Sequence, residues 1–319
     1  MMQNILLVGA GNVGSRYLQG LSRVNLDLCI TVVDPSDLSL KKATKRWFDV
    51  GGDKSQHKIS WCNELPQDLD LIDLAIITTS AGGRADLVKN ISKSVRVNYW
   101  VLEKVLAQSK QELDIIQTAT IDAKGTWVNM VRRILDWHQQ LKFKFCEQGP
   151  LKATKIGGLW GLACNTMHFI DLISWWTGES LLSVNTSKLD PMWLKSKRSG
   201  YFEVTGELLA LFSGGTELIL QSQPNATKEV MYIELPNKNI WSIDELNGVA
   251  FKSKKDFFKG EFKLQSQLTG PMVTKILTSG ICELTTLKQS SEQHQIFLEA
   301  MLAHWNLSNN FNDIIVPIT

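Results

Sequence analysis

Near the amino terminus, Gly9-Ala10-Gly11-Asn12-Val13-Gly14 follows the apolar run Asn4-Ile5-Leu6-Leu7-Val8 and opens an amphipathic segment. In that context a G-x-G-x-x-G spacing can hold a pyrophosphate. Gly9 permits the tight turn, Gly11 lets the backbone approach the phosphates, and Gly14 allows close helix–strand packing. The first amides of the helix, at Asn12 and Val13, offer unpaired N–H groups at the positive end of its dipole. Asp34 closes the next apolar run, Cys29 to Val33, twenty residues beyond Gly14. A carboxylate there accepts both hydroxyls of an adenosine ribose and repels a 2′-phosphate. An ordinary strand–helix turn would explain the glycines alone; strand, spacing and acid together predict a dinucleotide. NAD is favoured over NADP, although Lys41, Lys42 and Arg46 lie nearby.

These residues need a scaffold that brings strand ends together. Through the first half, short β-branched runs at 4–8, 28–33, 58–62, 71–78, 97–102 and 126–130 alternate with helical patterns at 13–24, 38–50, 84–92 and 110–123. That is the pattern of βαβ units in a doubly wound parallel sheet, an α/β architecture. After about residue 124 the texture changes. One helix pattern, 166–177, ends before Gly178, a residue suited to a left-handed helix end. Strand-like runs follow at 180–187, 202–212, 216–221, 229–235 and 239–243, with Ser213-Gly214-Gly215 reading as a hairpin turn. The expected organisation is a Rossmann domain over 1–123 and an α+β domain over 124–319 with an open, mostly antiparallel sheet. A one-faced helix at 291–305 should dock back on a domain.

Composition narrows the function. In 319 residues, 34 Lys and Arg balance 32 Asp and Glu, a net charge of +2 that argues against nucleic acid as a partner. The five cysteines (Cys29, Cys62, Cys146, Cys164, Cys282) form no Cys-x-x-Cys pair, and the five histidines show no metal-ligand spacing; no metal is expected. The opening residues lack the features of a signal peptide. The best apolar stretch, 71–79, is half of what a membrane span needs. The expectation is a cytoplasmic protein with no membrane partner.

Further segments make the chain resemble the glucose–fructose oxidoreductase / inositol dehydrogenase family (the Gfo/Idh/MocA superfamily). They are Ile76-Ile77-Thr78-Thr79-Ser80, Leu102-Glu103-Lys104, Asn129-x-x-Arg132, His168-Phe169-Ile170-Asp171-Leu172 and the closing Pro317-Ile318-Thr319. The resemblance implies an NAD-dependent oxidoreductase acting on a sugar or nucleotide sugar, similar to members that serve surface-polysaccharide biosynthesis. It implies that Thr78, Thr79, Ser80, Glu103 and Lys104 border the cofactor, and that Lys104, Asn129, Arg132, Asn165 and His168 border the substrate. A homo-oligomer, dimer or tetramer, is expected.

Lys104 matches the lysine of the family's Glu-Lys-Pro motif. An ammonium there can hydrogen-bond the reacting hydroxyl and ease loss of its proton as hydride leaves carbon. His168 is the general-base candidate, because imidazole titrates near neutrality; on a helix Asn165 and Asp171 flank it at three-residue spacing. Two positions depart from the family pattern: Val105 replaces the proline, and Cys164 stands where many members place an acid. Those departures motivate a second expectation, a catalytically inactive NAD-sensing regulatory protein of the same fold.

Overall fold

Runs of β-branched and aliphatic residues form strands that can be covered on both faces. In the computed structural model, which describes residues 2–319, these are β1 (Gln3–Val8), β2 (Leu28–Val33), β3 (Lys58–Cys62), β4 (Leu71–Ile77), β5 (Arg96–Leu102) and β6 (Gly125–Val128). They alternate with α1 (Asn12–Leu21), α2 (Asp37–Asp49), α3 (Arg84–Ser94) and α4 (Lys110–Ala119). The strands pair in parallel in the order β3-β2-β1-β4-β5-β6. Ile5, Leu6 and Leu7 are wholly enclosed, as are Leu74 to Ile77, because helices lie against both sheet faces. The order reverses beside β1, and such a switch point is where open α/β sheets place ligands.

After β6 the chain forms α5 (Asp136–Phe145), β7 (Lys152–Gly157) and α6 (Leu162–Thr177). Then come β8 (Leu181–Leu189), β9 (Leu194–Lys195), β10 (Phe202–Glu203), β11 (Gly206–Phe212) and β12 (Glu217–Ser222). β13 (Val230–Glu234), β14 (Ile240–Asp244), β15 (Val249–Phe251) and β16 (Phe257–Lys259) complete the series. Eight of these strands form a sheet ordered β16-β15-β14-β13-β7-β12-β11-β8, antiparallel except for β7 with β12. Their side chains alternate inward and outward, and α6 lies against β12 on the inner side. The chain next makes α7 (Gln265–Ser279), β17 (Thr285–Thr286), which pairs with β6, and α8 (Leu287–Asn309).

Two compact units result. The first comprises Met1–Leu106, Glu112–Asn129 and Lys263–Lys288; the second comprises Ala107–Gln111, Met130–Phe262 and Gln289–Thr319. The first unit therefore runs past residue 123 and regains a segment from far along the chain. That segment, α7, packs on α1 so closely that a Cβ on Gly20 would stand 2.5 Å from Thr269 Cβ. Its interior Gly270-Pro271 reads as a helix breaker in sequence, which hides the helix. From Gln289 onward α8 belongs to the second unit, with Phe297, Met301 and Trp305 buried.

Four further elements differ from the sequence pattern. The run 202–212 is divided because Gly206 bends the backbone at φ +104°, where a Cβ would meet Lys188 O at 2.6 Å. β10 consequently pairs with β9 and β11 with β8. α6 begins at Leu162 rather than 166, after Gly161 at φ +76°, and ends at Gly178 at φ +77°. α5 and β7 carry too many lysines and glutamines to show an apolar period. No helix among the described residues is long and apolar enough to cross a membrane.

Trp176, on the buried face of α6, stacks on His138 (ring centroids 5.6 Å) and meets Phe145 at a tilt (4.9 Å), and its indole N–H donates to the His138 carbonyl at 3.1 Å. Trp176→Ala is expected to cost about 3–5 kcal/mol through the cavity and lost contacts, read as a lowered urea midpoint by circular dichroism.

Candidate functional site

The glycine turn joins β1 to α1 with backbone packed on backbone. Thr78, just past β4, donates its hydroxyl to Gly9 O at 2.6 Å and its amide to Val8 O at 2.8 Å. Gly9 takes φ +96°, and a Cβ on Gly14 would stand 1.8 Å from Gly9 O. Gly11 differs: nothing lies within 4 Å of where its Cβ would be. α1 starts there with no capping side chain and no acid in its first turn, so its leading N–H groups face that open space. A group with acceptor oxygens and negative charge suits such a helix start.

Asp34, at the end of β2, is buried and oriented by two amides: Ala10 N–H donates to Oδ2 at 2.7 Å and Ser36 N–H to Oδ1 at 2.8 Å. Each oxygen keeps a lone pair for a hydroxyl donor. Arg46 of α2 reaches the opposite side of the turn, bonding Ser15 Oγ and, at 3.3 Å, Asn12 Oδ1. Thr79 Oγ1 is a buried hydroxyl without a partner. Of the three residues Thr78, Thr79 and Ser80, Thr78 is thus committed to holding the turn, whereas Thr79 has bonding capacity to spare. The residues present fit a dinucleotide: bare backbone for the diphosphate, and a fixed carboxylate for the ribose.

Beyond β5 comes the turn that carries Glu103 and Lys104. Glu103 Oε1 accepts from Tyr17 Oη at 2.8 Å and from Asn129 Nδ2 at 2.6 Å, and Asn129 Nδ2 also donates to Gln265 Oε1 at 2.9 Å. Burial, then the Glu103 charge, hold the Tyr17 phenol well above its ordinary pKa, so it stays a donor. Asn129 Oδ1 is buried with no partner. The Lys104–Val105 peptide is cis. Arg84, 1% exposed, stands behind this turn: its guanidinium donates to the carbonyls of Glu103 (2.6 Å), Leu106 (3.0 Å), Val105 and Thr79. The turn presenting Lys104 and the strand end presenting Thr79 are therefore held by one side chain. Lys104 itself is half-buried.

In the second unit, His168 lies half-buried on α6, one turn past Cys164 and Asn165. Asn165 Nδ2 donates to Trp160 O at 2.7 Å, and Glu203 of β10 accepts from Ala163 N–H at 2.9 Å. A Cβ on Gly161 would meet Cys164 Sγ, Asn165 Nδ2 and Glu203 Oε1, all within 3.2 Å. An acid thus stands beside Cys164 after all, supplied by a strand about forty residues further along the chain rather than by the helix.

Arg132 is placed differently from an open anion-binding residue. It forms a two-pronged pair with Glu245 (2.7 and 2.6 Å) and lies over the Phe169 ring at 4.5 Å. Its charge is spent within the core. Arg133 is paired the same way with buried Asp171, at 2.9 and 2.7 Å. His138 Nε2 completes the first cluster, 3.1 Å from Glu245 Oε1.

Tyr17, Arg84, Glu203, Glu245 and Gln265 carry no motif. Arg84 alone leaves a trace in sequence, since a cation at the first position of a helix opposes its dipole. Arg84→Ala strands four carbonyls that the guanidinium serves, and is expected to cost about 3 kcal/mol or more, read as a lowered urea midpoint.

Burial pushes the His138 pKa down, with Glu245 offsetting part of the effect; Glu245 is raised by burial, but Arg132 and His138 outweigh that and hold it well below the carboxylate range. Both groups bind protons more readily in the unfolded chain. The stability they contribute is present above their unfolded values, about 6.5 and about 4.3, and is lost as pH falls. Partial burial adds His57 and His304 to the same limb. Unfolding free energy should therefore drop below about pH 6.5, less steeply in His138→Gln, as measured by urea titrations across pH.

Neither a family model nor a curated protein sequence matches the chain; its likenesses are to solved structures. A UDP-N-acetylglucosamine 3-dehydrogenase, GnnA, from Acidithiobacillus ferrooxidans superposes with a TM-score of 0.67 at 11% identity, over 97% of this chain and 99% of that one. An apo scyllo-inositol dehydrogenase from Lactobacillus casei gives 0.67 at 16%, covering 96% of each chain. A levoglucosan dehydrogenase solved with NADH and L-sorbose gives 0.69 at 11%, over 97% and 98%. The superpositions run over essentially the whole chain, and the protein has the fold of these dehydrogenases.

Proposed function

We propose that the protein is an NAD(H)-dependent oxidoreductase acting on a carbinol carbon of a sugar or nucleotide sugar. The observation that carries the reading is the open space over Gly11 at an uncapped helix start, beside the oriented carboxylate of Asp34. A chain that needed only a tight turn has no use for either. The similar structures are dehydrogenases of sugars and polyols, one of them holding NADH and L-sorbose, which supports the class of reaction.

A bound nicotinamide would supply the chemistry of hydride transfer to or from the carbinol carbon. Lys104, at the carboxyl end of β5, hydrogen-bonds the carbinol oxygen through its ammonium and lowers the cost of proton loss. His168 takes that proton from oxygen during oxidation and supplies it during reduction. Glu203 of β10 accepts from the Ala163 amide and so fixes the start of the helix that carries His168. Thr79, Ser80 and Glu103 border the cofactor, and Asn129, with its spare Oδ1, and Asn165 border the substrate. Arg132 serves by holding Glu245 and the Phe169 face, not by meeting an anion. NAD is favoured over NADP because Asp34 would face a 2′-phosphate at close range.

The same reading includes self-association and a cytoplasmic setting. Strand register places Leu209, Ile219, Thr154, Tyr232, Ser242, Phe251 and Phe257 side by side in one row across the outward face of the eight-stranded sheet. Tyr232, Phe251 and Phe257 are exposed; a mainly apolar row of that kind suits a second copy of the chain.

A second reading, an NAD-sensing protein without turnover, is favoured by Cys164 at the acid position and by the internal pairing of Arg132. Calorimetry and absorbance at the reduced-nicotinamide band separate the two. NADH should bind more tightly than NADPH, and Gly11→Ala should weaken binding about tenfold or more without moving the melting temperature, since the added methyl meets only the ligand's space. Against a panel of sugars and sugar nucleotides, Lys104→Ala and His168→Ala should each lower turnover about a hundredfold or more with NADH binding retained. Binding without turnover on any substrate would favour the sensor; no heat from either coenzyme would remove both readings.

A further inference from the structure

We propose that a cavity of about 390 Å³ at the carboxyl end of α6, wholly within the second unit, binds a carbohydrate bearing an acidic group. The inference is independent of the dinucleotide reading.

Three observations carry it. Gln293 of α8 lines the cavity, is 6% exposed, and its Oε1 has no hydrogen-bond donor. An acceptor removed from water without a donor is costly, and a ligand hydroxyl in the cavity would supply one. Lys142 of α5 also lines the cavity, and its ammonium lies 4.9 Å from the centre of the Trp175 ring, with no carboxylate in ion-pair range among the described residues. The neighbouring charges are already spent. Arg133 is neutralised by Asp171, and Glu179 accepts from the amides of Gly214 and Thr216 and from the Thr216 hydroxyl. Among the described residues Lys142 is therefore the lining cation whose charge a ligand would complete.

The rest of the wall sets the ligand's class. Trp175, half-buried, presents an aromatic surface of the kind that packs against the C–H face of a sugar ring, and exposed Glu292 at the rim can accept from hydroxyls. The volume admits a ligand of monosaccharide size. Hydroxyls for Gln293 and Glu292 plus an anion for Lys142 describe a sugar acid or a sugar phosphate. On α6 this site lies two turns beyond His168, so the same helix carries both.

The test is calorimetric titration of the full-length protein with glucuronate, glucose 6-phosphate, glucose and inorganic phosphate. One or both acidic sugars should bind at one site per chain, with glucose and phosphate at least about tenfold weaker; which acid binds identifies carboxylate or phosphate as the anion. Lys142→Gln should weaken the acidic sugar about tenfold or more, Lys142→Arg should retain it, and Gln293→Ala should weaken it several-fold, each with an unchanged circular dichroism spectrum. Binding should persist in His168→Ala, which separates this cavity from the proposed reaction site. The assignment is overturned if neither acidic sugar binds, if glucose binds as tightly as its acids, or if binding ignores both Lys142→Gln and Gln293→Ala. If Gln293→Ala proves less soluble, Lys142→Gln against Lys142→Arg decides alone.

Discussion

The first unit depends on a contact between two stretches of bare backbone. Where β1 runs into α1, the Gly9 carbonyl accepts the Thr78 hydroxyl and lies so close to the Gly14 α-carbon that no side chain could come between them. That approach seats the start of α1 at the point where strand order reverses, with the ends of β1, β2 and β4 side by side. Asp34 and Thr79 reach the same neighbourhood because the strands that carry them are pinned to β1 by parallel ladders. On the reading proposed above, that geometry makes an anion site out of the polypeptide itself, with positive charge from the helix start.

Buried charge elsewhere follows one pattern: each of these guanidiniums is met by oxygen. Arg84 takes four carbonyls, Arg132 takes Glu245, and Arg133 takes Asp171. In a low-dielectric interior an unmatched charge would be far more costly than any of these pairs is favourable. Such arrangements are therefore better understood as fixing geometry than as adding net stability. For Arg84 the geometry fixed is the loop that displays Lys104, where Val105 stands instead of proline. For Arg132 it is the join between the segment after β6 and the turn after β14, which carries Glu245.

In the second unit α6 does several things at once. Its inner face, with Leu162, Met167, Ile170, Ile173 and Trp176 buried, is core. Its first turn is capped by Glu203, its middle carries His168, and its last turn, ending at Gly178, carries Trp175. A helix covered on one side and closed by left-handed glycines at both ends holds these side chains at fixed spacing. That rigidity is what the proton-transfer role proposed for His168 requires.

The amino-acid sequence alone established the parallel α/β half, the place of the glycine turn, the acid ending β2 and the residues at the ends of β4 and β5, because each follows from short-range periodicity and spacing. It also located His168 on a helix with its stop at Gly178. It missed α7, since Gly270-Pro271 breaks a local pattern that packing against α1 overrides, and it treated residues 202–212 as one strand because a bend at Gly206 is a matter of backbone conformation. Only the tertiary structure decided that Arg132 would be paired internally, that Glu203 would stand beside Cys164, and that Arg84 and Tyr17 would support the Glu103–Lys104 turn. Those relations join residues about twenty to more than a hundred positions apart. Nothing in local pattern encodes which distant partner will neutralise a buried charge; that is settled when the chain closes and each polar group must find an oxygen or a proton within reach.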